Sequence, residues 1–383
     1  MKKTMLLLSL LIVITFTSSC WSRREIEDLG FVMGLGISKT EAGLYTVVAQ
    51  LANANAIVSE APNSTEIYTL VKAEGLTVFD ALRNLSMIAK RRLYIAHLTA
   101  IVIHEEIAKE GLSLIMGVFL QDMELRLGSY VFISQVPPEE IFDTPNFIGL
   151  VPAMGLELIA ENYGANSKIF ISDLHATVEA VNNPTLNYVT ALVEKIPGPS
   201  NSEMSQMNLS RIVIFDNDKL AGYLDYEEGQ AYNFITNNFR IGLIVFEHAG
   251  SKDKIVIEIL ESSTKIIPEY RDGEISFRIV LNIKGNIAER IPILQGFSEL
   301  DIVPVQNQLN QVIEDKLKTA IDSAQQDFKI DYFNLSKDFS RKYPKEFKEM
   351  QEEWNDIFSN AKIDVEVKSS VIHSALNKNR GRI

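Results

Sequence analysis

The chain reads as a multidomain α+β protein with mixed and antiparallel sheets carrying packed helices, and three observations predict this. Alternating or β-branched runs recur from residue 31 to residue 372. Between them lie amphipathic stretches spaced by three and four residues, the longest at 305–328. The later strand runs are parted by short polar turns, the mark of an antiparallel meander.

The first 19 residues form a leader. Lys2 and Lys3 give a positive start, residues 6–16 are apolar apart from Ser9 and Thr15, and Thr17, Ser18 and Ser19 make a small-residue exit before Cys20. Eleven residues fall far short of the roughly 20 that cross a bilayer as a helix, which argues against a permanent transmembrane anchor. Cys20 is the sole cysteine and closes no internal disulfide. Small residues before it fit a lipobox, in which diacylglycerol is added to the thiol and the leader is cut, although Thr17 stands where a bulky Leu is usual. Acyl chains on Cys20 then hold the body at a membrane.

Removing the leader leaves 35 basic against 50 acidic residues, a net charge of −15. A surface that acidic disfavours nucleic acid and anionic headgroups as primary partners and makes a tethered body stand off the membrane. With 46% apolar and 23% charged residues the chain can build ordinary cores. No later segment has transmembrane length without charges or glycine.

Past the anchor, strands are expected at 31–38 and 45–51 as a hairpin, then at 69–75 after a polar loop at 53–63. Gly30, Gly34 and Gly36 do not make a dinucleotide fingerprint, since Lys39 stands where the next glycine is required and a strand follows. From Thr77, Val78, Leu82, Leu85 and Ile88 or Ala89 recur on one side of a helix closed by Arg91 and Arg92. A buried strand at 93–104 and one or two helices broken at Gly111 come next, then a strand at 127–135 and a short helix from Pro137-Pro138. Residues 144–163 read as a helix with Pro152 in it or at its start, 174–181 as a helix after Ser172-Asp173, and 188–196 as a strand.

At this point the motifs become specific. C-W-S-R-R-E-I-E-D-L at the anchor, G-L-T-V-F-D-A-L-R-N-L-S with R-R-L-Y-I-A-H-L, and I-A-K-E-G-L ahead of D-M-E-L-R resemble, in order and spacing, the Ger(x)C family. These are lipoprotein C subunits of nutrient germinant receptors of endospore-forming bacteria. The likeness covers nearly the whole mature chain.

Pro197-Gly198-Pro199-Ser200-Asn201-Ser202 is the clearest linker, which gives a leader at 1–19, an N-terminal α+β domain at 20–197, a small middle domain at 198–250 and a C-terminal α+β domain at 251–383. The middle unit opens as strand, turn at Asp216-Asn217-Asp218, strand, with Gly222 and Leu224 where the family resemblance expects them. That turn is not an EF-hand loop, because Ala221 replaces the glycine such a loop needs. Runs at 255–261, 263–267 and 275–285 make the meander, and the stripe Val305, Leu309, Val312 or Ile313, Leu317, Ala320 or Ile321, Ala324 and Phe328 turns the long helix toward it. A closing strand is expected at 361–372, and Asp331, Pro344 and Trp354 match the resemblance's ending, with its usual glycine after the Asp missing and Ala375 in place of another.

Chemistry is not legible. His97, His104, His175, His248 and His373 are scattered, and Ala108 stands where a zincin would need a second histidine after His104-Glu105-Glu106. Asp122, Glu124 and Arg126 read as a solvated turn rather than a hydrolase pair. Ser359 to Lys362 has S-x-x-K spacing without the companion boxes of acyl enzymes.

The resemblance implies a non-enzymatic, lipid-anchored subunit of a germinant receptor, needed for nutrient-triggered germination, with integral-membrane A and B subunits as partners. It further implies no cofactor beyond the diacylglycerol and acyl lipid on Cys20, no metal and a place on the outer face of the inner spore membrane. The alternative class is an extracytoplasmic solute-binding lipoprotein serving a transporter. That class is expected to have two lobes with parallel sheets, whereas hairpins and meanders dominate this reading.

Overall fold

The computed structural model describes residues 29–53, 67–121, 125–145, 151–198, 205–249, 253–291 and 302–372. Cys20, Asp122, Glu124, His373, most of the 53–63 loop and most of the Pro197 linker lie outside them.

Strands β1 (Leu29–Lys39) and β2 (Tyr45–Ala52) make the expected hairpin, with Gly43 at φ +81 in its turn, and β3 (Tyr68–Gly75) adds antiparallel to β2. Helix α1 (Val78–Ile88) starts at Thr77, whose hydroxyl accepts the Asp80 N–H at 3.1 Å and so satisfies one orphan donor of the first turn. It buries Val78, Ala81 and Leu85. The single strand expected at 93–104 is in fact two, β4 (Arg92–Tyr94) and β5 (Ala100–His104), parted by a turn in which the Leu98 N–H donates to the Ile95 carbonyl.

Helices α2 (Glu105–Glu110) and α3 (Ser113–Gln121) are separated at Gly111, whose φ of +133 only glycine takes without strain. After β6 (Tyr130–Ser134), helices α4 (Pro138–Phe142) and α5 (Pro152–Asn162) both begin on proline, where the missing N–H costs nothing. β7 (Ser172–Asp173) leads into α6 (Leu174–Asn182), capped by the Asp173 carboxylate. β8 (Val189–Ile196), β9 (Gln206–Asp216) and β10 (Lys219–Leu224) complete a ten-stranded sheet whose main path is β10-β9-β8-β6-β5-β1-β2-β3.

This sheet corrects two expectations. Its central strands β1, β5, β6 and β8 run parallel, because helices form the crossovers that follow β5 and β6, so hairpins are confined to the flanks. Strands β9 and β10, beyond the linker, finish the same sheet, with Val189 opposite Ile214 and Ile196 opposite Gln206. The division at 197/198 therefore does not separate sheets.

Helix α7 (Tyr226–Ile235) crosses to the second sheet on a capping box: Asp225 accepts the Glu228 N–H while Glu228 accepts the Asp225 N–H. β11 (Gly242–Glu247), β12 (Lys254–Arg271) and β13 (Glu274–Ile291) are antiparallel, with Asp272 and Gly273 at positive φ in the β12–β13 turn. The two strands expected at 255–267 are one, bent at bulges near Val256 and Leu260. β14 (Lys362–Ile372) pairs in parallel with β13, so this sheet too is mixed. Helix α8 (Ile302–Asp322) and a π-helical turn at Ser323–Phe328 supply the long expected helix. Its Glu314 and Gln306 side chains accept the Val367 and Val371 N–H groups and so cover the free edge of β14. Short helices α9 (Leu335–Lys342), α10 (Pro344–Met350) and α11 (Trp354–Asn360) lie between.

Alternation in the first sheet feeds two cores. Ile101, Ile103, Val131, Ile133, Val213 and Phe215 pack under α1, α2, α3 and α6. Ala100, Val102, Phe132, Ala191, Ile212 and Ile214 face α4, α5 and α7, and that core runs on unbroken through Tyr232 and Phe234 into the second sheet and α8. Each buried large apolar side chain in this shared core contributes roughly 1.5–3 kcal/mol, so the two sheets stabilise one another.

Candidate functional site

The described residues bring polar side chains together most densely where the two sheets meet. Lys329, in left-handed conformation at φ +58, ends the π turn and sends the chain to Asp331, which is fully buried. Asp331 accepts the Leu335 and Ser336 N–H groups at 3.0 and 2.9 Å and the Trp354 indole N–H at 2.8 Å. It thereby caps α9, a task that Asn334 at the N-cap leaves undone. Burial pushes its carboxyl up to about 7, against the pull of those three donors.

Around it runs a network of amides. Asn187, just before β8, takes the Asn334 side-chain carbonyl on its N–H at 2.8 Å and gives its own carbonyl to the Asn334 amide at 3.1 Å. Its side chain donates to the Asp331 carbonyl and accepts the Asn217 N–H. Asn355 bridges the Asp331 N–H and the Asp216 carboxylate. The Asp216-Asn217-Asp218 turn is thus structural: Asn217 sits at φ +53, and Asp218 accepts the Ser113 N–H at 3.0 Å beside Gly111. With both oxygens of Asp331 engaged by N–H donors, the cluster holds the joint between the two sheets.

The remaining candidates stay apart. His97 packs in an aromatic cluster with Phe31 and Tyr94, His104 lies 3.6 Å from Glu106, and the His175 and His248 N–H groups donate to the Leu127 and Asp253 carbonyls. Among the described residues no three histidine, cysteine or acidic side chains converge as metal ligands. Glu105 accepts from Lys109, Tyr223 and Gln135; burial would raise its carboxyl, but those bonds outweigh it and hold the group below the usual range. The Ser359 hydroxyl donates to the Asn355 carbonyl and Lys362 pairs with Asp364, so the S-x-x-K pair is a helix end. Gly34 and Gly36 admit Phe142 and Pro138 against β1, a packing role. Sequence reasoning passed over the Asn187, Asn334 and Asn355 network, whose members lie far apart in the chain.

Two grooves mark the surface. One of about 710 Å³ lies between α5 and β9, lined by Leu158, Tyr163, Lys168, Met207 and Tyr226. The other, about 800 Å³, opens beside α1 and β4 and carries Arg83, Lys90, Arg91 and Arg92 over Phe79 and Leu82. Among the described residues no helix is long and apolar enough to cross a membrane.

Two mixed sheets joined by a buried polar knot define the α+β class of this protein. The family model "Spore germination protein N-terminal domain" matches residues 22–195, and "Spore germination B3/ GerAC like, C-terminal" matches residues 210–375. The chain is 24% identical to spore germination protein KC of Bacillus subtilis (strain 168) across 99% of this chain and 97% of that protein. It is likewise 24% identical to spore germination protein B3 of the same organism, across 92% and 93% of the two chains. The crystal structure of the GerBC protein matches 91% of this chain and 100% of that one, with a TM-score of 0.55 at 21% identity, and shares the fold. The chain belongs to the Ger(x)C family of spore germination proteins.

Proposed function

We propose that this chain is the C subunit of a nutrient germinant receptor: a non-enzymatic lipoprotein tethered through Cys20 to the outer face of the inner spore membrane. There it assembles with integral-membrane A and B subunits. The observation that carries this reading is the end-to-end match to named spore germination proteins, over 99% of the chain in one case. The leader and the lone Cys20 support the tether, and the engagement of Asp331 and Glu105 in fixed hydrogen bonds supports a scaffold rather than a catalyst. Confinement to a plane raises the local concentration of the body beside membrane partners, which substitutes for a large interface.

A gene deletion and a substitution test it. Deleting the gene abolishes or strongly slows germination in response to nutrient, while germination by a non-nutrient trigger persists. Cys20→Ala leaves the body folded, removes it from the spore membrane fraction and reproduces the deletion phenotype. Full membrane retention of Cys20→Ala refutes the tether, and unchanged nutrient response of the deletion strain refutes the receptor role.

One observation favours the solute-binding alternative: the 710 Å³ groove has the size of a small-ligand site. Saturable heat on titrating amino acids or sugars into the protein, lost in Tyr226→Ala, would establish it.

A further inference from the structure

Leu29 pairs with Arg92 and Gly30 with Leu93, so the chain arriving from Cys20 enters the fold beside β4. Eight residues lie between Cys20 and Leu29, a reach of at most about 30 Å over the nine steps. The corner of the body held nearest the membrane is therefore the one that carries Arg83, Lys90, Arg91 and Arg92, all exposed and lining one groove.

Helical spacing sets Phe79, Arg83, Ser86 and Met87 on a single face of α1, with Leu76 and Lys90 at its two ends. Leu76 and Met87 are each 78% exposed and Phe79 46%, while the opposite face buries Val78, Ala81 and Leu85. The Arg83 guanidinium lies 5.0 Å from the centre of the Phe79 ring. Asp80 stands at the margin of this face, its carboxylate occupied by the Leu76 N–H at 2.9 Å. Large apolar side chains interleaved with cations on one exposed helix face are the composition of a segment that lies in a bilayer interface.

We propose that this corner rests on an anionic phospholipid surface. Arg83, Lys90, Arg91 and Arg92 meet headgroup phosphates while Leu76, Phe79 and Met87 enter the acyl boundary. The inference rests on the Cys20 tether, which holds this corner within about 30 Å of the bilayer. It also corrects the expectation that net charge makes the body stand off. Salt screens acidic residues more than a Debye length of about 8–10 Å away, whereas each cation at the surface gains on the order of fivefold in affinity. Tether and patch together fix the tilt of the body relative to the membrane plane, and so fix which faces are turned toward the bilayer and which away from it.

The test uses the full, acylated protein with Met87→Cys as its free thiol, Cys20 being blocked as a thioether, and an environment-sensitive dye at that position. Lys368→Cys on β14 is the remote control. Expected on vesicles of equal parts phosphatidylglycerol and phosphatidylcholine is a blue shift and a several-fold loss of acrylamide quenching at position 87 alone. Expected further is the absence of both changes on pure phosphatidylcholine and in the Arg83→Glu, Lys90→Glu, Arg91→Glu variant. Protein that floats with both vesicle types yet keeps full quenching at position 87 overturns the patch and leaves the tether standing. Failure to float with either removes the tether and the patch with it. Shielding of position 87 in detergent, without lipid, also overturns the patch, since a segment of this chain or a second copy then covers it.

Discussion

Asp331 shows how a residue can be legible in type and illegible in role. The family resemblance singles out Asp331 and Trp354, but nothing in the 22 intervening residues says that the indole N–H will reach the carboxylate at 2.8 Å. In Asp331→Asn a single oxygen must serve three N–H donors while the new amide faces at least one of them. A buried donor left unpaired costs about 1–3 kcal/mol, which urea unfolding reads directly. The penalty depends on pH with a definite sign. The folded-state carboxyl titrates near 7, above its unfolded value, so the native state binds more protons in between. The wild-type advantage is fully present below about pH 4 and falls as pH rises through 7. The stability difference between wild type and Asp331→Asn is therefore larger at pH 5 than at pH 8; a difference that grows with pH contradicts the buried-carboxyl assignment. Gly229 makes a simpler case. A Cβ there would collide with the Lys168 carbonyl, which cannot step aside, and Gly229→Ala is expected to lower stability by about 1–3 kcal/mol.

Elements were readable where periodicity and caps agree. Thr77 before α1, and the stripe Val305, Leu309, Ile313 and Leu317 along α8, each pair a pattern with a structural cause. Leu309 and Leu317 are fully buried, so Leu309→Ala leaves a cavity worth about 2–5 kcal/mol. An exposed neighbour such as Val303→Ala changes stability by less than about 0.5 kcal/mol, and the contrast between the two by denaturant unfolding checks the stripe. Helix α7 escaped notice because it is buried on nearly every side and so lacks a polar stripe. Its signal was Asp225 followed by Glu228, three residues later, and Asp225→Ala is expected to cost about 1 kcal/mol. Strand β11 alternates strictly, Gly242, Ile244 and Phe246 buried, and could have been found by period alone.

At the scale of the molecule, what escaped the sequence is pairing between distant segments. Parallel neighbours such as β1 and β5 are separated by helices and other strands, and no local pattern encodes their register. The same holds for β9 joining β8 across a proline-rich linker. One core runs from the first sheet through α7 to α8, and the Asn187, Asn334 and Asn355 amides stitch the joint. Heat should therefore unfold the described body in a single calorimetric transition, and two separated transitions would show that the sheets fold independently. Of a functional site the sequence offers Cys20 as a proposed anchor; the basic corner near the entry of the chain emerges only when β4 is seen to pair with the start of β1.

Everything proposed about function depends on that cysteine holding the body at a membrane. Intact-mass spectrometry of the protein isolated from spore membranes tests this most directly. The account predicts a chain that begins at Cys20 and carries a diacylglycerol thioether. A chain that retains residues 1–19, or one that begins elsewhere with a free thiol and is recovered from the soluble fraction, contradicts it.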